Sequence, residues 1–431
     1  MTVYTVKQGD TVYSIAREFG VPPSRIVIDN ELQNPSRLAV GQSLIILYPT
    51  ETYTVKGGDT LSSISQETGV PIIKLWQNNP ILGGKSTVYP GQVLNIRYPE
   101  PEFSSIAVNG YVYPFIDRNV LRKTLPYLTF ISIFSYGFKE DGTIFEPQGG
   151  DDEIIGIAKE YGVVPMLTLT SITEKGTFSS ELVEKLLSSP ELLSSIAKAL
   201  AETAVRKGYG GVDLDFEYIP AQYSEVYADF ARQVNEALPE GYFVFTSLAP
   251  KTSAEQRGLL YEGHNYKLIG ENSDKVLLMT YEWGYTYGPP LAVSPLPQVS
   301  QVIEFAVTQI PSDKIFMGIP NYGYDWTLPY VRGESKAQSL SNVEALNLAI
   351  EKNVEIQFDE TSQTPYFSYY AANSEGGVSE HIVWFDDARS MNSKLRLIPE
   401  NSLYGGGVWN VMKYFPSLWA VINSIFSILR L

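Results

Sequence analysis

Two stretches of this chain repeat almost letter for letter. YTVKQGDTVYSIAREFGV begins at Tyr4 and YTVKGGDTLSSISQETGV at Tyr53, an offset of 49 residues, and GQSLII at Gly41 returns as GQVLNI at Gly91. A repeat of this period obliges the first hundred residues to form two copies of one small unit. The chain has no cysteine, so each copy must close a core of its own without a disulfide. Each reads as a short alternating strand, a Gly-Asp-Thr turn whose Asp or Thr caps a helix, a second helix and a second strand; Gly20 ends the first helix of the first copy. The Pro-rich joints LYPTE and YPEPE set the units at residues 1–49 and 52–99.

From Phe103 the pattern changes to short apolar runs separated by helical stretches, the alternation of an α/β domain. Eight runs stand out: SIAVN at 105, TFISIF at 129, VVPMLTL at 163, GVDLDF at 211, YFVFTSL at 242, KVLLMTY at 275, KIFMGIP at 314 and YGGGVW at 404. Eight strands with intervening helices predict a (β/α)8 TIM barrel over residues 103–431. The gap between the seventh and eighth runs is too long for one crossover helix, so a small α+β insertion is expected there, at about 325–385. The apolar tail SLWAVINSIFSILRL is too short to span a bilayer and its spacing suits the last barrel helix.

The net charge of −16 excludes a nucleic-acid partner, which would need clustered Lys and Arg. Eight basic residues balance eight acidic ones within residues 1–100, so the barrel carries the whole excess. With no cysteine and only His264 and His381 as histidines, neither a metal site nor a cofactor is expected. No stretch is long enough to cross a membrane, and the N-terminus lacks the basic and apolar regions of a secretory signal.

The most pointed feature is GGVDLDFE at 210–217. On a strand Asp213, Asp215 and Glu217 share one face and Val212, Leu214 and Phe216 the other. The apolar set suits the helical shell and the carboxylates the barrel mouth, where such barrels hold their active sites. Carboxylates spaced about 7 Å apart along a strand cannot all ionise cheaply. One is expected to keep its proton near neutral pH, and a protonated Glu at the rim is a general acid.

Both halves resemble known families. The repeated unit, with its Gly-Asp-Thr turn, Asn30 or Asn79 after the second helix, and Gly-Gln-x-Leu strand, resembles the LysM module. That resemblance implies binding of N-acetylglucosamine (GlcNAc) polymers through Asp10, Thr11, Asn30 and Leu32 in the first copy and Asp59, Thr60, Asn79 and Ile81 in the second. Two such sites on one polymer raise avidity. The barrel resembles family 18 glycoside hydrolases, the chitinase-like enzymes, whose D-x-x-D-x-D-x-E signature ends here at Glu217. Gly210 stands where that pattern has its first Asp, and PMLTLTS in the third strand lacks the family's Ser-x-Gly-Gly. Met279, Tyr281 and Glu282 in MTYEWG resemble the family's M-x-Y-D, with Glu for Asp. Trp409 falls where a strand-eight Trp floors the sugar site, and Tyr111 where a first-strand aromatic lines it. Tyr322, with Tyr324 and Trp326, is a further aromatic candidate.

The resemblance implies a retaining, substrate-assisted glycosidase, an exception to the two-carboxylate rule. Glu217 would be the acid, Asp215 and Asp213 would support the reacting acetamido group, and Tyr281 would orient it. The two halves together resemble the cortical-fragment-lytic enzymes of bacterial endospores. That implies an N-acetylglucosaminidase acting on cortex peptidoglycan, monomeric, made in the mother cell without a signal peptide and held at the spore coat or cortex. A chitinase, or a catalytically silent GlcNAc-binding lectin of the coat, are the alternatives.

Overall fold

All eight apolar runs become strands of one closed parallel barrel in the computed structural model, which describes residues 1–373 and 376–431. They are β1 (Ser105–Val112), β2 (Phe130–Phe138), β3 (Val164–Thr170), β4 (Gly211–Asp215), β5 (Phe243–Leu248), β6 (Lys275–Leu278), β7 (Ile315–Pro320) and β8 (Gly405–Trp409). Each pairs in parallel with the next, and β8 returns to β1 with Gly405 opposite Ala107. The closing seam is tight: a Cβ on Gly405 would lie 1.8 Å from the Ala107 carbonyl oxygen, so only glycine fits there.

Strand alternation sorts side chains into two cores. Val212, Leu214 and Phe216 join the shell between strands and helices. Phe130, Phe245 and Phe316 fill the barrel's interior, with ring centroids 4.9 and 5.5 Å apart in sequence. The lower barrel is thus a packed plug, and reactive groups are left at its C-terminal mouth.

Between β7 and β8 the expected insertion is a five-stranded antiparallel sheet. Its strands, in spatial order, are Gln338–Leu340, Gly323–Thr327, Val378–Trp384, Thr364–Ala372 and Gln357–Asp359. One helix, Asn342–Lys352, completes it, started by a capping box of Ser341 and Glu344. The tail departs from expectation. Its helix stops at Ile425, and Ser427–Ile428 form a strand beside Ser105 and Ile106. That part of β1 extends beyond its pairing with β8, and the tail satisfies backbone groups that would otherwise lack partners.

Each repeat folds as strand, two helices, strand. Thr2–Thr5 pairs with Ser43–Ile46 and Glu51–Thr54 with Val93–Arg97, both antiparallel. Thr11 and Thr60 cap the first helices, which end at Gly20 and Gly69 in the left-handed conformation. The two units are docked on the barrel. Ile45 belongs to the barrel's shell core, and Trp76 lies 5.0 Å from the ring of Tyr161. Gln77 donates to the Pro126 carbonyl at 2.7 Å and accepts from Tyr127 at 2.9 Å, while the Ile356 amide donates to Val40 at 2.9 Å.

Candidate active site

The end of β4 carries the three carboxylates. Asp213 is fully buried; one oxygen accepts from the Ser132 hydroxyl of β2 at 2.8 Å and the other has no hydrogen-bond partner among the described residues. Asn109 of β1 steadies Ser132 at 3.0 Å. Asp215 likewise has one buried oxygen without a hydrogen-bond partner among the described residues. Glu217 follows two residues on, half-buried, beyond the last ladder pair of the strand.

Burial raises the proton affinity of all three. Asp213 is pushed up to about 6. Asp215 goes well above the usual carboxylate range through burial, then through the charges of Glu217 and Asp213. Glu217 is raised by burial and by the charge of Glu282. The cluster therefore shares protons, and a proton-carrying Glu at the rim is available to a leaving group.

The turn beyond Glu217 is held from behind. Tyr218 adopts a φ of 57°, and the Phe216 carbonyl accepts from His264 Nε2 at 3.0 Å. His264 Nδ1 accepts from the Ala249 amide at 2.7 Å, and burial lowers its pKa to about 4, so it stays neutral.

Tyr281 and Met279 lie just past β6, each 9% exposed. Burial and the charges of Asp215 and Glu217 keep the Tyr281 hydroxyl protonated and so able to donate. Glu282, at φ 70°, turns to the rim, where its carboxylate accepts from the hydroxyls of Tyr322 and Tyr324. Trp409 ends β8, propped by Phe134 at 4.9 Å, Tyr111 at 5.5 Å and Tyr113 at 6.1 Å. Tyr111 is only 1% exposed and shares its hydroxyl with Ser247 at 3.4 Å. It therefore backs Trp409 and does not itself present a face to a sugar. Among the described residues no group of His, Asp and Glu side chains is arranged to hold a metal ion.

In the repeats several expected glycan contacts have internal work. Asp10 accepts from the Tyr4 hydroxyl and the Lys7 amide, both at 2.7 Å, and Asp59 repeats this with Tyr53 at 3.0 Å and Lys56 at 2.7 Å. Asn30 binds the backbone of Ile45, and Asn79, 3% exposed, that of Asn95. The Asn79 side chain is thereby withdrawn from any glycan. Thr11 and Thr60 cap helices yet stay at the exposed turn. Leu32 and Ile81 line one cleft of about 390 Å³ between the two units.

Ser132, Asn109, His264 and Phe134 were not foreseen at the site. Ser132 had a legible signal, a polar residue between Phe130 and Phe134 on the inward face of an apolar run. His264, distant in sequence from Phe216, had none.

The model of glycosyl hydrolases family 18 matches residues 125–413, and that of the LysM domain matches 4–47 and 53–97. The chain is 38% identical to a cortical fragment-lytic enzyme of Bacillus anthracis, over 99% of each chain. It is also 38% identical to the enzyme of that name in Bacillus subtilis, over 100% of this chain and 99% of the relative. The crystal structure of the Bacillus cereus spore cortex-lytic enzyme SleL superposes with a TM-score of 0.83 at 37% identity, covering 100% of this chain and 98% of that one.

Proposed function

The chain belongs to glycosyl hydrolases family 18 and is a glycosidase with two LysM domains, and on that premise we infer that it hydrolyses the bond after GlcNAc in spore cortex peptidoglycan. The observation that carries the reaction is the Asp213–Asp215–Glu217 row, with raised proton affinity, near the Tyr281 hydroxyl in a barrel mouth that Trp409 also lines. Glu217 gives its proton to the glycosidic oxygen as the substrate's own acetamido oxygen attacks the anomeric carbon. The resulting ring carries positive charge on its nitrogen, which Asp215 would stabilise, while Asp213, held by the Ser132 bond, raises the proton affinity of Asp215 by its charge. Tyr281 donates to the acetamido group and keeps it aligned, a gain in orientation worth roughly several kcal/mol. Glu217 then takes a proton from water, which opens the ring with the anomeric configuration retained.

The 38% identity to cortical fragment-lytic enzymes along the full chain supports cortex peptidoglycan as the polymer. The LysM pair would hold the glycan, and the protein would act as a monomer, made in the mother cell and retained at the coat or cortex. The test is muropeptide analysis of cortex fragments incubated with the protein and with Glu217→Gln. New reducing-end GlcNAc is expected from the former alone, with the variant slower by at least ~10²-fold. Appreciable turnover of a matched substrate lacking the N-acetyl group would rule out the substrate-assisted route.

A further inference from the structure

Beside Trp409 the cleft opens into a side pocket of about 330 Å³ that contains neither Asp215 nor Glu217. Its walls come from the barrel mouth (Glu282, Trp409, Asn410, Lys413) and from the insertion (Tyr324, Ser341, Glu344). The pocket's two acids are engaged: Glu282 accepts from Tyr322 and Tyr324, and Glu344 accepts from the Ser341 amide at 2.8 Å and hydroxyl at 2.7 Å. Lys413 is exposed and enters no salt bridge among the described residues, though its charge helps to hold the Glu344 carboxyl below its ordinary value, in a chain of net charge −16.

In a β-1,4-linked chain successive rings are turned over, so the C3 substituents of alternate sugars project from one side. A pocket on one wall of the cleft therefore meets one substituent type repeatedly. We propose that this pocket receives the lactyl group on C3 of the muramic residue adjoining the cleaved GlcNAc, with the Lys413 ammonium donating to its carbonyl or carboxylate oxygen. This rests on the peptidoglycan reading above. Lys413 is then a specificity residue, one that distinguishes muramic-containing chains from plain GlcNAc polymers. Muramic lactam and peptide-bearing muramic acid both supply the carbonyl, and fragments rich in each, assayed separately, tell the two sources apart.

The experiment measures kcat/KM of the full chain and of Lys413→Ala on muramic-containing fragments and on a chito-oligosaccharide of equal length. The ratio between the two substrates should fall about tenfold in the variant, through KM for the muramic one. Lys413→Arg, which keeps the charge, should restore it. A ratio unchanged within about twofold, in an enzyme that cleaves both substrates, overturns this proposal alone. An unmodified enzyme that cleaves only the chito-oligosaccharide overturns the peptidoglycan reading and this one with it. Lys413 is exposed, so an unchanged unfolding midpoint is the check that the variant is folded.

Discussion

Asp213 is ionised against the preference of its surroundings, and that opposition can be measured. Its pKa is about 6 in the folded chain and 3.8 when unfolded, so the folded state holds the proton more tightly. The stability this lends is full below pH 3.8 and is lost as pH rises through 6. Asp213→Asn should therefore raise unfolding free energy at pH 7 by about 2 kcal/mol, allowing for an imperfectly paired amide, and by nothing near pH 3. Denaturant titrations at the two pH values check this, with activity falling as stability rises. His264 works in the opposite direction. Its folded pKa is about 4 against 6.5 unfolded, so its contribution is full above pH 6.5 and is lost as pH falls to 4. The two trends offset each other between pH 4 and 6, and only the variant separates them. For activity, the charge of Glu282 helps to raise Glu217. Glu282→Gln should move the alkaline limb of the kcat/KM profile to lower pH, because Glu217 then releases its proton earlier; an unmoved limb would show that burial alone sets it.

At the scale of elements, β4 explains its own departure from the family pattern. A Cβ at Gly210 would stand 2.3 Å from a methyl of Val164, the first residue of β3. The volume an Asp would take is already occupied across the strand pair. Gly210→Asp should cost about 1–3 kcal/mol by overpacking and should not increase turnover; thermal unfolding and kcat measure the two. This was not legible in the sequence, where Gly210 and Val164 are far apart. The eight strands were legible, because each buried strand is a local apolar run and closure needs only their number and alternation. The end of the last helix was missed, since SLWAVINSIFSILRL keeps helical spacing throughout and only the free end of β1 draws Ser427 and Ile428 into a sheet.

At the scale of the whole molecule, the LysM pair and the barrel behave as one packed body. Trp76, Ile45 and the Gln77 bonds cross the junction, as does the Lys74–Asn423 bond at 2.8 Å. Calorimetry of the full chain should give one cooperative transition, and deletion of residues 1–100 should lower the barrel's Tm by several degrees, roughly 2–4 °C per kcal/mol lost. Separate endotherms, with an unshifted barrel, would mean that the modules are only tethered.

By itself the sequence determined the repeated modules, the eight-stranded barrel and the acidic row on one strand, because each is written in local periodicity, and the place of the insertion, because the gap between the seventh and eighth runs is too long for one helix. It also placed Glu217 at a strand end, where alternation and barrel geometry leave little choice. Only the tertiary structure decided which candidates stand open at the barrel mouth and which are packed away. Tyr111 and Asn79 were candidates by pattern and are turned inward by packing, while His264, Ser132 and Lys413 reach the site from distant strands and loops. The physical reason is one of range: periodicity sets which way a residue points on its own element, but burial, proton affinity and pairing depend on neighbours that folding alone brings within a few ångströms.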